Sequence, residues 1–255
     1  MNTLKQKNIT SAHLKIIALV CMTLDHIGHV FALPMLYATP SLAWLYYLLR
    51  TVGRIAFPLY AFMISEGCRY TKNIKKYFAL LAIFAVASEI PFNIANNGEW
   101  LNSNAQNVYF TLFLGLAACY VVRIFKENGK HILWSVPVAA LLCASAYFLA
   151  TDYSWYGVLF IWLCAVTQEQ KNAVRIPVLV FGLLLIARPW QIVQNDLAFS
   201  YIFNSCMQFF GSLPALFLLC SYNGERGNLK INKYFFYAYY PAHLLLFGLA
   251  ASLLS

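Results

Sequence analysis

The sequence predicts an all-α fold: a polytopic integral membrane helical bundle of about nine transmembrane helices, forming a single domain over residues 1–255. Three observations predict it. The 255 residues are 61% hydrophobic and 11% charged, against roughly 45–50% apolar and 25% charged in soluble domains. The apolar residues fall in blocks of about 17 to 25, and about 20 helical residues cross the hydrocarbon core of a bilayer. The basic residues lie almost entirely between these blocks.

In order, the expected spans are 14–33, 42–67, 77–94, 108–125, 132–150, 156–166, 176–187, 198–220 and 235–254. The sixth and seventh are short and must borrow flanking residues, whereas the second and eighth are long enough to tilt. The first resembles a secretory leader, but Asp25, His26 and His29 interrupt its apolar run, so it reads as a retained helix. Lys5, Lys7 and Lys15 precede the first span. Arg69, Lys72, Lys75 and Lys76 follow the second, Arg123, Lys126 and Lys130 the fourth, Lys171 and Arg175 the sixth, and Arg226, Lys230 and Lys233 the eighth. Alternate connections thus carry fifteen of the 18 basic residues. Short cytoplasmic loops are enriched in Lys and Arg, which places the N-terminus in the cytoplasm.

The net charge of +9 belongs to this retention pattern. It forms no basic and aromatic stripe of the kind that binds nucleic acid. The seven cysteines make no CxxC pair, so neither a disulfide framework nor a metal site is indicated.

Ionisable side chains within hydrocarbon cost several kcal/mol each and point to function with a named partner. Asp25 lies about 16 Å along the first span, and Arg54 roughly 20 Å from the cytoplasmic end of the second, at 1.5 Å per residue. The two are therefore expected to meet near the midplane, with Arg50 one turn further out. His26 adjoins Asp25, and His29 shares a face with both. Histidine near a carboxylate suits a general base, while an Asp25–Arg54 pair that only locks two helices remains an open alternative.

Glu89 lies deep in the third span before Pro91, beside a carbonyl that proline frees, and His243 is embedded in the last span after Pro241. Asn107 and Thr111, one turn apart at the outer start of the fourth span, are candidates for substrate binding or for capping and interhelical contact. Glu66 near the cytoplasmic end is a possible partner of Arg69. Arg188 with Trp190, at the outer end of the seventh span, either meets an anion or snorkels. On the cytoplasmic side, the turn containing Asn223 and Arg226, together with Arg69, Lys72 and Lys76, is a candidate anion site.

These motifs together resemble the TraX family. The likeness rests on Asp25-His26-Ile27-Gly28, Arg54-Ile55-Ala56-Phe57-Pro58-Leu59, Glu66-Gly67 with Tyr70-Thr71, and Ser88-Glu89-Ile90-Pro91-Phe92. It continues through Asn107-Val108 with Thr111, Tyr222-Asn223-Gly224 with Arg226-Gly227, and Tyr240-Pro241 with His243-Leu244. The resemblance implies a multi-pass protein of the bacterial cytoplasmic (inner) membrane that acetylates a pilin N-terminus or another envelope molecule. The expected donor is acetyl-CoA, held by Arg69, Lys72, Lys76, Asn223 and Arg226. Asp25, His26, Arg54 and Glu89 are the expected catalytic group, with Asp25 orienting His26 as the base. His29, Asn107, Thr111 and His243 are expected to bind the acceptor, and no metal is expected. The buried charges alone leave two other readings open, a proton-coupled secondary transporter and an assembly protein locked by its ion pairs.

Overall fold

In the computed structural model, residues 9–168, 174–187 and 198–254 are described. Lys5, Lys7, Lys171, Arg188 and Trp190 lie outside them. The described residues form helices joined by loops, with no β-strand and two isolated β-bridges, Ile9 with Tyr222 and Gln106 with Thr151. Among the described residues, five segments are long and apolar enough to cross a bilayer: Ser11–Met35, Ala43–Tyr70, Ile74–Asn97, Val108–Glu127 and Lys233–Leu254. Four shorter apolar helices complete the bundle.

Helix α1 (Ser11–Ile27) starts at Thr10, whose hydroxyl accepts from the His13 amide, while the His13 ring accepts from the Thr10 amide. Two further first-turn amides donate to another loop, Ser11 N–H to the Glu225 carbonyl at 2.8 Å and Ala12 N–H to that of Arg226 at 3.0 Å. These are donors that a helix leaves unpaired at its start. Gly227, at φ 69°, lets the loop turn beside Thr10, where a Cβ would strike the threonine side chain. The 222–227 turn, read from sequence as a donor site, therefore also caps the first span.

A π-helical stretch, Gly28–Ala32, carries His29 and leads into α2 (Leu33–Ala38). Pro34 at the start of α2 has no amide hydrogen for the regular ladder, and such bulges absorb the mismatch.

The second predicted span is not one helix. It divides into α3 (Ala43–Gly53) and α4 (Ala56–Tyr70), with a turn at Arg54 and Ile55. Pro58 is the cause: it cannot bond the Arg54 carbonyl, and its ring crowds that position. The break lies where the sequence reading placed a buried charge. At the other end of α4, Arg123 donates to the carbonyls of Cys68 at 2.8 Å and Thr71 at 3.1 Å, closing the helix C-terminus from its neighbour.

The remaining helices are α5 (Ile74–Asn97), α6 (Val108–Glu127), α7 (Val136–Phe148), α8 (Ser154–Thr167), α9 (Arg175–Ala187), α10 (Ala198–Cys220) and α11 (Lys233–Leu254). Helix α8 has 14 residues, roughly 21 Å, and lies in the centre of the bundle with Val158, Phe160 and Ile161 fully buried. It is preceded by the non-helical segment 149–153.

Large apolar side chains such as Ile83, Val86, Leu141, Phe217 and Leu246 are exposed, while Asp25, Arg54, Ser88, Asn93 and Thr111 are buried. On α5 the exposed Ile83, Val86 and Ile90 recur at helical spacing opposite Leu81, Ala85 and Ser88. Apolar outside and polar inside is the arrangement a bilayer selects.

Helices touch at small residues, as expected where lipid tails supply no drive for association. Gly211 lets α10 meet the α3 backbone at Thr51, and Gly248 lets α11 meet α5 at Ile94. Gly53 is the tightest in consequence, since a Cβ there would fall on the Asp25 carboxylate. Gly53→Ala should therefore force α1 from α3 and destabilise the protein by about 1–3 kcal/mol, the usual overpacking range. Thermal unfolding of the detergent-solubilised variant checks this, with a melting temperature equal to wild type as the contrary result.

Candidate active site

The site begins at the broken second span. Arg50 and Arg54 lie one turn apart on α3 and reach the same carboxylate on α1. Arg50 Nη1 stands 2.7 Å from Asp25 Oδ2, and Arg54 Nη2 2.5 Å from Asp25 Oδ1. The Asp25–Arg54 contact anticipated from depth is thus present, and Arg50, which depth alone left one turn away, shares it. Arg54 also donates from Nε to the Arg50 carbonyl at 3.3 Å, and its guanidinium lies 5.8 Å from the Tyr153 ring centroid. Tyr153 stacks on Phe57 of α4 at 3.8 Å.

The loop that carries Tyr153 is strained. Ala150, Tyr153 and Ser154 have φ of 49°, 60° and 40°, positive values that cost non-glycine residues about 1–3 kcal/mol each. It is held from α6 and the segment before it. Gln106 donates to the Ala150 carbonyl at 3.0 Å and accepts from the Asp152 amide at 2.8 Å, while the Thr111 hydroxyl contacts Thr151 Oγ1 at 3.0 Å and the Asp152 carbonyl.

Beside the charge cluster, His26 Nδ1 lies 2.7 Å from His243 Nε2, and His243 Nδ1 lies 2.7 Å from the Tyr239 carbonyl oxygen. Asp25 was expected to orient His26. Among the described residues no hydrogen bond joins the two, because both carboxylate oxygens are taken by arginines, and the ring's partner is His243 instead. Helix α11 is further pinned to α1 by the Tyr239 hydroxyl, 2.7 Å from Thr23 Oγ1.

A cavity of about 800 Å³ surrounds this group, within the roughly 300–1,000 Å³ usual for small-molecule sites. Asp25, His26, His29, Arg50, Arg54, Asp152 and Tyr153 form part of its wall. It touches α5 at both ends, at Asn73 and Lys76 before and in the first turn and at Asn96 and Asn97 in the last. Those turns lie roughly 30 Å apart, about the thickness of the hydrocarbon core. At the end predicted to be cytoplasmic the wall contains Lys15, Lys76, Arg226 and Lys233. Lys15 sits 5.7 Å from the Phe236 ring centroid.

Several sequence expectations change. Among the described residues, the cavity wall does not include Glu89, Asn107, Thr111 or His243. Asn107 is fully buried, capping α6 through Oδ1 and donating from Nδ2 to Glu89 at 2.5 Å and to the Ala85 carbonyl at 2.7 Å. Glu89 and Asn107 thus join α5 to α6. Thr111 holds the strained loop and His243 holds His26. Glu66 accepts from Gln168 at 2.6 Å and Tyr222 at 3.4 Å rather than pairing with Arg69, which lies over its neighbour Tyr70. Of the expected donor residues, Lys76 and Arg226 line the cavity. Arg69, Lys72 and Asn223 do not, Asn223 being bonded to Glu225.

Sequence reasoning missed Asp152, Tyr153 and the sharing of Asp25 by Arg50. The i, i+4 spacing of Arg50 and Arg54 was a usable signal for the last. Tyr153 stands with Trp155 and Tyr156 in an aromatic run that composition alone assigns to an interfacial belt.

No solved structure matches this chain. A curated relative, the probable fimbrial assembly protein FimC, serogroup H1, of Dichelobacter nodosus, is 29% identical over 253 residues, covering 94% of each chain. The TraX protein family model matches residues 10–251, spanning every element of the site from Asp25 to His243. The chain belongs to the TraX family.

Proposed function

We propose that this protein is a membrane-embedded acetyltransferase, moving an acetyl group from cytosolic acetyl-CoA to an amine or hydroxyl acceptor. The acceptor is a pilin N-terminus or another envelope molecule, in line with the fimbrial assembly role in the name of its relative. The membrane is the bacterial inner membrane, with the N-terminus cytoplasmic and about nine spans. The observation that carries this reading is the single cavity that touches both ends of α5 and holds His26 and the arginines between them. Its charge is asymmetric: four basic residues and one acid, Glu66, line the inner end, whereas Asn96, Asn97 and Ala105 line the outer. Phosphates of a nucleotide-bearing donor fit the first, and a neutral or weakly polar acceptor fits the second.

In this mechanism the acceptor nitrogen or oxygen attacks the thioester carbonyl while His26 takes its proton. The negative charge that develops on the carbonyl oxygen lies in the field of Arg50 and Arg54, two cations opposite one carboxylate. As the carbon–sulfur bond breaks, His26 returns the proton to the departing thiolate. The acetylated acceptor and free thiol leave by opposite ends.

His26→Ala should lower acetyl transfer from radiolabelled acetyl-CoA by about 10²–10⁴-fold, the usual contribution of a general base, in folded, detergent-purified protein. Wild-type protein that neither binds nor turns over acetyl-CoA removes the proposal, and substrate accumulation in proteoliposomes under a proton gradient would then favour a transporter.

Lys76→Ala combined with Arg226→Ala should raise the KM for acetyl-CoA about tenfold, with kcat little changed, because each charge acts on binding alone. A kcat effect of equal size with unaltered KM contradicts the assignment of this end to the donor.

Asp25→Asn leaves two guanidiniums with no carboxylate and should destabilise the protein by about 3–5 kcal/mol. The triple apolar variant Asp25→Leu, Arg50→Leu, Arg54→Leu removes the unpaired charges and should recover folding, seen as a monodisperse species, without recovering acetyl transfer. Activity in that variant would reduce the cluster to a helix lock.

A further inference from the structure

The acetyl-transfer reading asks His26 to accept a proton, which a neutral imidazole does at only one of its two nitrogens. Which nitrogen is free follows from three atoms. The Tyr239 carbonyl oxygen can only accept a hydrogen bond, so His243 Nδ1, 2.7 Å away, carries a hydrogen. Neutral His243 then presents a lone pair at Nε2. His26 Nδ1 stands 2.7 Å from that lone pair and must donate to it. The hydrogen of His26 is therefore committed to Nδ1, and Nε2 is left with a lone pair on a ring that lines the cavity. Charging either ring is opposed by Arg50 and Arg54, which already outnumber the one carboxylate between them.

The chain of bonds is held rigidly at its far end. His243 is 5% exposed, and the Tyr239 ring stacks on it at 4.9 Å and 20°. The same tyrosine reaches α1 through Thr23. Pro241 leaves the Tyr237 carbonyl without its helical donor, and the Tyr109 hydroxyl fills that place at 2.9 Å. Helix α11 is thus tied to α1 and α6 in the turns just before His243. Tyr240 meets the His26 ring edge-on at 5.8 Å, restricting its rotation.

We infer that His243 is a positioning residue: together with the Tyr239 carbonyl it fixes His26 in the Nδ1–H tautomer, leaving Nε2 as the base that deprotonates the acceptor. In an unrestrained histidine side chain the Nε2–H form predominates, and that form cannot take a proton at Nε2. This assigns to His243 the part that a carboxylate plays in other catalytic groups, where tautomer control is worth up to about 10⁴ in rate. The carboxylate next in sequence, Asp25, is unavailable because it balances the arginines.

The inference rests on the proposed acetyl transfer for its catalytic consequence, but the tautomer itself can be read without activity. Full-length protein labelled with ¹⁵N-histidine in lipid nanodiscs should show neutral His26 with its hydrogen on Nδ1, assigned by the signals lost in His26→Gln. His243→Gln places an amide oxygen near the Nε2 position and should keep this form, whereas His243→Leu should convert His26 to the Nε2–H form. In transfer assays His243→Leu should lower kcat about tenfold or more at unchanged KM for acetyl-CoA, and His243→Gln should recover activity to within about threefold of wild type. Wild-type His26 bearing its hydrogen on Nε2, or a spectrum unchanged in His243→Leu, overturns the inference, as does a His243→Gln enzyme no more active than His243→Leu. Absence of acetyl transfer in the wild type would instead remove the parent reading, with the nitrogen spectra still deciding the tautomer.

Discussion

The Asp25 carboxylate, gripped by two guanidiniums inside a bundle of apolar helices, is the constraint around which the rest is arranged. A lone charge in this setting costs several kcal/mol, so three charged groups must be brought together before any one of them is tolerable. The chain achieves this by local means. Pro58 ends α3 at Arg54, Gly53 removes the side chain that would hold α1 away, and the one-turn spacing of Arg50 and Arg54 aims both at one carboxylate. A helix that ran unbroken through residue 54 would have no reason to stop at this depth. The break, the glycine and the ion pairs are one device.

A second layer of residues, most of them off the cavity wall, supports that device. Thr111 and Gln106 hold the 150–154 loop in a conformation that non-glycine residues avoid, and the loop returns the cost by laying Tyr153 between Phe57 and Arg54. Asn107 and Glu89 join α5 to α6 on one wall of the cavity, while Tyr109, Thr23 and Tyr239 dock α11 on the other. Polar residues that look like substrate ligands in a membrane sequence are here spent on joining helices whose lipid-facing surfaces offer no hydrophobic attraction for one another.

This explains what could and could not be read from the chain beforehand. Helix positions and the meeting of Asp25 with Arg54 follow from quantities that add up along one dimension: hydropathy and rise per residue. The depth argument works because both residues lie on long spans with known ends. It fails for His26 and His243, 217 positions apart, whose contact depends on how α11 is rotated and against which neighbour it packs. The same limit hid the commitments of Asn107 and Thr111: their residue types announce hydrogen bonding, but only packing decides whether the partner is a ligand or another helix. The break at Arg54 was legible in Pro58, four residues on, because proline denies that carbonyl its donor whatever the tertiary fold.

The stoichiometry of the cluster bears on whether it is more than a lock. One carboxylate needs one guanidinium to be neutral, and Arg54, bonded to Asp25 and to the Arg50 carbonyl and covered by Tyr153, is sufficient for that. Arg50 adds a second positive charge, with more of its side chain exposed, 23% against 10%, and on the cavity wall. Asp152, another acid on the cavity wall, forms no ion pair with either arginine among the described residues. A purely structural pair gains nothing from a surplus cation in a low-dielectric interior, where it is repelled by its neighbour and costs desolvation. A site that must accept transient negative charge gains a great deal, because an oriented cation there needs no rearrangement when the charge appears. Two arginines for one aspartate, beside a histidine that lines the same cavity, is the composition expected where an oxyanion forms and a proton leaves at the same place.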